Sequence, residues 1–213
     1  MLRFAQRVFF HAMGIALVSC SSYGKIQVRH DEFKNTSLVS LKLKHESEES
    51  IAPLRFYHYP AEVEYIRETG PEKNVPLKLV VLIRAAKDAS PLEPAGFLKT
   101  DQNNFEIVLN ATGNELRTET MTQTTKYHNP DASGFVDYTK PDAVDSKTTV
   151  NQWRELTATL ALTTDQEQSV LATSVLLLRL YSGTQPLTFR VTGEDLRKIQ
   201  SMIRLDPAAH GES

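Results

Sequence analysis

Apolar and polar residues alternate with a period of two along most of this chain. Residues 39–45 place Val39, Leu41 and Leu43 on one face of a predicted strand, with a serine and two lysines on the other. The same alternation predicts strands at 105–109, 156–162 and 187–191, with weaker candidates at 53–57, 62–67 and 115–125. Residues 77–83 and 174–181 are apolar on both faces, which is typical of strands covered on both sides. The chain is therefore predicted to be mainly β.

Two short helices are predicted near the C-terminus. The pairs Thr164/Glu167 and Thr192/Asp195 resemble capping boxes, in which a hydroxyl and an acid satisfy unpaired backbone amides. After the second pair, one helical stripe collects the apolar residues Leu196, Ile199, Met202 and Ile203. We predict a twisted antiparallel β-sandwich of about eight or nine strands with one or two short C-terminal helices. An α+β arrangement is the alternative.

The composition fits one globular domain and argues against two classes of protein. The chain has 213 residues, of which 40% are hydrophobic and 23% charged. Its formal net charge of −2 lacks the strong basic excess of a general nucleic-acid binder. No uninterrupted run of about 18 apolar residues occurs, so we expect no membrane-spanning helix in the mature protein.

The first 20 residues, MLRFAQRVFFHAMGIALVSC, have the layout of a secretory signal. Arg3 and Arg7 form a positive segment, and residues 8–18 form the apolar segment that follows it. The signal ends in Leu17-Val18-Ser19-Cys20, which resembles the lipobox of bacterial lipoprotein precursors. The resemblance implies cleavage between Ser19 and Cys20. It also implies a diacylglycerol on the Cys20 thiol, with a further acyl chain such as palmitate on its amine.

Acylation of Cys20 would limit both the chemistry and the location of this protein. Cys20 is the only cysteine, so no cysteine nucleophile, cysteine-rich zinc site or intramolecular disulfide would remain. Two or three acyl chains give a stable membrane anchor. Ser21 and Ser22 follow without an aspartate, a pattern that resembles cargo released to the outer membrane in Gram-negative bacteria. We therefore expect a lipid-anchored protein of the bacterial cell envelope, at the outer rather than the inner membrane.

The patterns together divide the chain into four expected segments. A signal peptide covers 1–19, and a lipidated N-terminus with a short tether covers 20–30. One β-rich domain covers 31–205, and a flexible tail covers 206–213.

Two polar stretches interrupt the alternation. Residues 45–50, HESEES, are predicted to be a solvated hairpin tip. Residues 128–149 form a long polar loop with two prolines and a glycine, and structureless loops of more than about 12–15 residues tend to be functional or disordered. This loop contains Phe135 and Tyr138, which we identify as candidate contact residues because aromatic side chains are enriched at interfaces. The alternative is that both rings pack back onto the sandwich.

The sequence shows no catalytic or metal-binding motif. It lacks a Gly-x-Ser-x-Gly elbow, a His-Glu-x-x-His pair and a glycine-rich phosphate loop. His30-Asp31-Glu32 is the densest group of metal-ligand types, but neighbouring residues on a strand point apart, which favours a polar strand end. The surroundings of His58 favour an aromatic strand and turn over a polar cleft, and Trp153 is expected to cap the core rather than stack on a sugar or lipid. We predict no catalytic residue, no metal site and no cofactor.

Three classes of function fit these observations. The first is a non-catalytic binding or structural module of the envelope, anchored by its lipid and contacting an envelope protein but no nucleic acid. The second is a carrier of a lipid or other amphiphile, with a cavity lined by the strand faces near 77–83 and 175–181. The third is a hydrolase with a dispersed site, which requires several polar groups with shifted pKa values in one cleft. We expect the first.

Overall fold

A computed structural model of the chain describes residues 23–50, 58–70, 73–127 and 143–204. These ranges contain eleven strands and two helices. The strands are β1 (Ile26–Asp31), β2 (Thr36–Ser50), β3 (His58–Gly70), β4 (Lys73–Asn74), β5 (Lys78–Ala86), β6 (Ala95–Lys99), β7 (Asn104–Val108), β8 (Ala111–Tyr127), β9 (Ala143–Ala161), β10 (Val175–Ser182) and β11 (Gln185–Thr192). The helices are α1 (Thr164–Ala172) and α2 (Gly193–Arg204).

All strand pairs are antiparallel, and the sheet is open. The strand order is β7-β6-β10-β11-β2-β3-β5-β9-β8, with β1 added to β2 and β4 added to β3. The prediction of a mainly β, antiparallel fold with two short C-terminal helices is confirmed. The alternation missed the short strands β1, β4 and β6, and the weak strand 53–57 lies outside the described residues. β1 overlaps residues 20–30, the segment expected to tether the domain, and it pairs with β2.

Both halves of the sheet contribute to one hydrophobic core, which gives the fold its sandwich-like character. Leu41 and Val81 come from the half formed by β2, β3, β5 and β9. Leu178 and Phe189 come from the other half, and all four side chains are at most 3% exposed. The helix α2 buries its predicted stripe in the same core and contacts β11 and β2. Removal of this much apolar surface from water is the main source of stability for the domain.

The prediction for residues 45–50 is wrong, because this acidic segment is part of β2 rather than a hairpin tip. Ser47 is buried and pairs with Phe189, the residue pair that joins β2 to β11. The Ser47 hydroxyl donates to the carbonyl of Glu49 at 2.6 Å and accepts from the backbone N–H of Tyr59 at 2.9 Å. These bonds hold an irregularity between Glu46 and Ser50, where the β2–β3 register shifts. This segment of β2 therefore connects two parts of the sheet.

The N-cap of α1 lies one residue before its predicted position. Thr163 caps the helix through Gln166, whose backbone N–H donates to the Thr163 hydroxyl at 3.3 Å and whose side chain accepts from the Thr163 backbone at 2.9 Å. Glu167, predicted to complete the capping box, is buried. It forms an ion pair with Arg67 at 3.3 Å and accepts from the backbone N–H of Leu77 at 2.7 Å. The acid therefore attaches the helix to the sheet.

Candidate functional site

The strands β8 and β9 form a hairpin that is much longer than the sheet that supports it. Their register is unbroken from Ala111 opposite Thr159 to Tyr127 opposite Ala143. β9 also pairs with β5, but only as far as Trp153 opposite Ala86. Beyond that point, residues 118–127 and 143–152 pair only with each other among the described residues. We call this two-stranded extension the ribbon.

The ribbon extends well away from the core. Its 118–127 arm covers about 33 Å at roughly 3.3 Å per residue. None of its described side chains belongs to the core, and residues 118–125 and 145–152 are all exposed. The exposed residues include Met121 and Val150, each 57% accessible. An isolated two-stranded hairpin is marginally stable in water, so this extension adds little to folding and is the strongest candidate for a binding element.

Cross-strand pairs of polar side chains help to keep the ribbon extended. The hydroxyls of Thr122 and Thr148 lie 3.2 Å apart, and the Gln152 amide donates to the Thr118 hydroxyl at 3.4 Å. Such pairs between opposed residues are the local units of sheet stabilisation. Threonine suits this position because its branched side chain favours extended backbone while its hydroxyl remains hydrated.

The predicted contact loop overlaps one strand of this ribbon. The prediction of a loop from 128 to 149 is too long, because residues 143–149 belong to β9. The remaining segment, 128–142, contains Phe135 and Tyr138 and lies outside the described residues. Since Tyr127 pairs with Ala143, this segment joins the two strands at the distal end. In the sequence, both aromatic residues therefore fall between the two strands of the ribbon.

A charged cluster surrounds Trp153 at the base of the ribbon. The Arg84 guanidinium lies 4.7 Å from the centre of the Trp153 ring, a cation–π distance. Arg117 donates to Glu155 at 2.8 Å and also contacts Glu115 at 3.1 Å. The pKa of Glu155 is below its usual value, mainly because of the hydrogen bond from Arg117. Trp153 was expected to cap the core, but it lies outside the core cluster, half-buried in this polar setting.

A second polar cluster lies where the β6–β7 turn meets the end of α1. It lines a shallow groove of about 210 Å³ that includes Asp101, Asn103, Ser169 and Thr173. The Asp101 carboxylate accepts from the backbone N–H of Ser174 at 2.6 Å and from its hydroxyl at 2.8 Å. These bonds hold the pKa of Asp101 below its usual value. Asn103 donates to Ser169 at 2.9 Å, so the polar groups of the groove bind one another and join the turn to the helix.

The remaining candidates from the sequence do not assemble into a site. His30 is exposed on β1 and lies 3.2 Å from the Ser37 hydroxyl. Asp31 accepts from the backbone N–H groups of Phe33 and Lys34, so it orders a turn, as expected for a polar strand end. His58 begins β3, and its buried Nδ1 has no hydrogen-bond partner among the described residues. Within the described ranges, no three potential ligands are grouped closely enough to hold a metal ion.

The expected lipid-attachment and cleavage residues, Cys20 and Ser19, lie outside the described residues. Within the part of the chain that the structure covers, no helix has the length and apolar character needed to span a membrane. No family model matches the chain, and comparisons with curated proteins and with solved structures likewise found no match.

Proposed function

We propose that this chain is a lipid-anchored protein of the bacterial envelope that acts as a non-catalytic binding module. In this proposal, the ribbon presents the 128–142 loop, with Phe135 and Tyr138, to an envelope protein. The observation that supports it is the ribbon itself. Residues 118–125 and 145–152 are exposed and outside the core, yet the sequence maintains an unbroken ladder through them.

The contacts of Tyr23 support a closely held anchor. The backbone N–H of Gly24 donates to the carbonyl of Lys42 at 2.8 Å, and the Lys44 ammonium lies 4.2 Å from the centre of the Tyr23 ring. The pKa of Tyr23 is raised to about 12, mainly because its hydroxyl is hydrogen-bonded to the Glu62 carboxylate. Tyr23 is therefore fixed to the sheet, and two serines separate it from Cys20. An acylated Cys20 would hold the domain within about 11 Å of its anchor.

The carrier alternative receives less support from the packing. The strand faces expected to line a cavity include Leu79 and Val81 on β5 and Leu178 and Leu180 on β10. All four side chains belong to the single core cluster and are at most 3% exposed. These faces are therefore in contact with protein.

The hydrolase alternative requires polar groups that converge on a substrate. The groove at Asp101 is the best-formed polar cluster outside the ribbon base, but its carboxylate and amide groups are used to join backbone segments. Such bonds give the cluster a structural role.

Removal of the ribbon tests the proposed function. In the test variant, residues 118–152 are replaced by an Asn-Gly turn between Arg117 and Trp153, which face each other in the ladder. After in-cell crosslinking and affinity capture, we expect one discrete envelope protein with the native chain and its loss with the shortened chain. A matched control replaces only Phe97 and Val108, two exposed apolar residues of the opposite sheet end, by serine. Equal capture by the shortened and native chains would contradict the proposal.

A further inference from the structure

The outer edge of β8 is long and is not closed by a proline or a bulge. β8 is the last strand of the sheet, and no described strand pairs with its outer side. Exposed edges are commonly blocked by proline, by a bulge or by several lysines. The segment ATGNELRTETMTQTTKY has no proline and one lysine, and its register with β9 has no bulge. Its backbone N–H and C=O groups are thus arranged to accept another strand.

We propose that a second copy of this chain occupies this edge, with the two β8 strands antiparallel about a two-fold axis at Thr118. A two-fold axis perpendicular to the sheet keeps equivalent faces of the two copies on the same side. Each residue then lies opposite the residue that is equally far beyond the axis. The sequence and its charges decide where the axis lies.

The charges of β8 favour Thr118 over its neighbours. An axis at Arg117 or Glu119 places that residue opposite its own copy, and like charges directly opposed across strands are destabilising. An axis at Thr118 places Arg117 of each copy opposite Glu119 of the other. An axis at Leu116 also opposes unlike charges, but it pairs residues 111–121, whereas the axis at Thr118 pairs residues 111–125.

This register also supplies the neighbours that the ribbon lacks. Residues 119–125 of each copy lie along residues 111–117 of the other, the part of β8 whose partner β9 is itself paired with β5. The ribbon of each copy thereby becomes part of a continuous sheet, with the order β5-β9-β8 followed by β8-β9-β5 of the second copy. Two-stranded ribbons gain independent stability when further strands are added.

The pairing goes beyond the proposed function and is separable from it. It uses the edge of β8, whereas partner binding is assigned to the 128–142 loop. Deletion of residues 118–152 removes both elements, whereas E119R changes the edge and leaves the 128–142 loop unchanged, so that partner capture by E119R separates loss of the β8 pairing from loss of the loop.

A disulfide at the two-fold axis tests the pairing in the full chain. Each test cysteine is introduced into the native chain, so that Cys20 and the proposed anchor are the same in T118C and in its control, and the two copies of residue 118 face each other across the axis. Directly opposed residues have Cβ atoms about 4.5–5.5 Å apart, close to the spacing that a disulfide needs. The matched control is T124C, an exposed threonine on the same face of β8 whose own copy lies far along the strand.

We expect T118C to form a disulfide-linked dimer in intact cells under mild oxidation at least about tenfold faster than T124C, since only residue 118 faces its own copy. Adding E119R places an arginine opposite Arg117 of the other copy and should abolish the faster dimer formation of T118C. The control E106R makes the same charge change on the exposed face of β7 and should leave the faster dimer formation unchanged. Equal rates for T118C and T124C would overturn the pairing. Faster dimer formation by L116C than by T118C would overturn the axis at Thr118.

Discussion

The carboxylate of Glu49 accepts two hydrogen bonds from Thr188, one from the backbone N–H at 2.6 Å and one from the hydroxyl at 2.7 Å. Arg179 donates to the same Thr188 hydroxyl at 2.8 Å. Near this point, β2 and β11 share the single register pair Ser47 and Phe189. A side chain therefore takes the place of a missing backbone partner where the two parts of the sheet join.

Replacement of Glu49 by alanine is expected to lower the free energy of unfolding by about 1.5–3 kcal/mol, the range for hydrogen bonds to a charged group. The physical reason is that the N–H of Thr188, a residue 1% exposed, loses its acceptor. Urea denaturation of both proteins measures the change. The control is Glu48→Ala, which removes an exposed ion pair with Arg190 and should cost less than about 1 kcal/mol. Equal losses for the two variants would contradict the role of Glu49.

Replacement of Arg67 by methionine is expected to destabilise the fold by about 3–5 kcal/mol, because it leaves the buried charge of Glu167 without its partner. Arg67 also donates to the carbonyl of Ile203 at 2.8 Å, so the same variant loosens the end of α2. The double variant R67M/E167Q removes both charges and should be more stable than R67M alone. The measurement is the free energy of unfolding in denaturant of the native chain, R67M and the double variant. A double variant less stable than R67M would refute this account of the ion pair.

His45 is expected to make stability depend on pH. Burial lowers its pKa below the usual 6.5, an effect that the nearby charge of Asp195 partly opposes. Nε2 of His45 is buried and has no hydrogen-bond partner in the part of the chain that the structure describes. Since the folded state binds this proton less tightly than the unfolded state, the stabilisation is complete above about pH 6.5 and is lost as the pH falls through and below that value.

The measurement for His45 is the free energy of unfolding between pH 5 and pH 8. We expect H45L to reduce the loss of stability on acidification, while H30Q, at an exposed histidine, serves as the control. An unchanged acid slope in H45L would show that other groups cause the pH dependence.

Cys20→Ala is expected to abolish the proposed anchor. The variant should move from the detergent phase to the aqueous phase in a phase-separation assay if the signal is removed by another route, and otherwise should accumulate as an uncleaved precursor. Ser21→Ala, a neighbouring change that leaves the lipobox intact, is the control. Normal processing and detergent partitioning of the Cys20 variant would refute the lipoprotein proposal.

Local alternation predicted the strands whose side chains meet the core. Val39 and Leu41 on β2 and Leu187 and Phe189 on β11 are buried as their spacing indicates. Alternation could not predict the role of residues 45–50, because Glu49 is bound by Thr188, which lies 139 residues away in the chain. The position of Glu167 depends in the same way on Arg67, a partner from a distant strand. Long-range polar partners leave no periodic signal in the sequence.

The ribbon was predicted only in part. The pattern predicts a strand over the threonine-rich segment 115–125, but residues 145–149 of its partner β9 fall in the predicted loop. Residues 143–149 contain few apolar side chains, and a strand that contacts no core need not alternate apolar and polar residues. The pairing of β9 with β5 stops at Trp153, whereas its pairing with β8 continues. This difference shows that the hairpin extends beyond the rest of the sheet.

The role of the 128–142 loop in partner binding is tested most directly by photo-crosslinking in cells. A photoreactive amino acid is placed at Phe135 or Tyr138 in this loop, and at Val108, an exposed residue of β7, as the control. We predict one discrete adduct with a different envelope protein from the two loop positions and none from Val108. The same adducts from all three positions, or only adducts between copies of this chain, would contradict the proposed function.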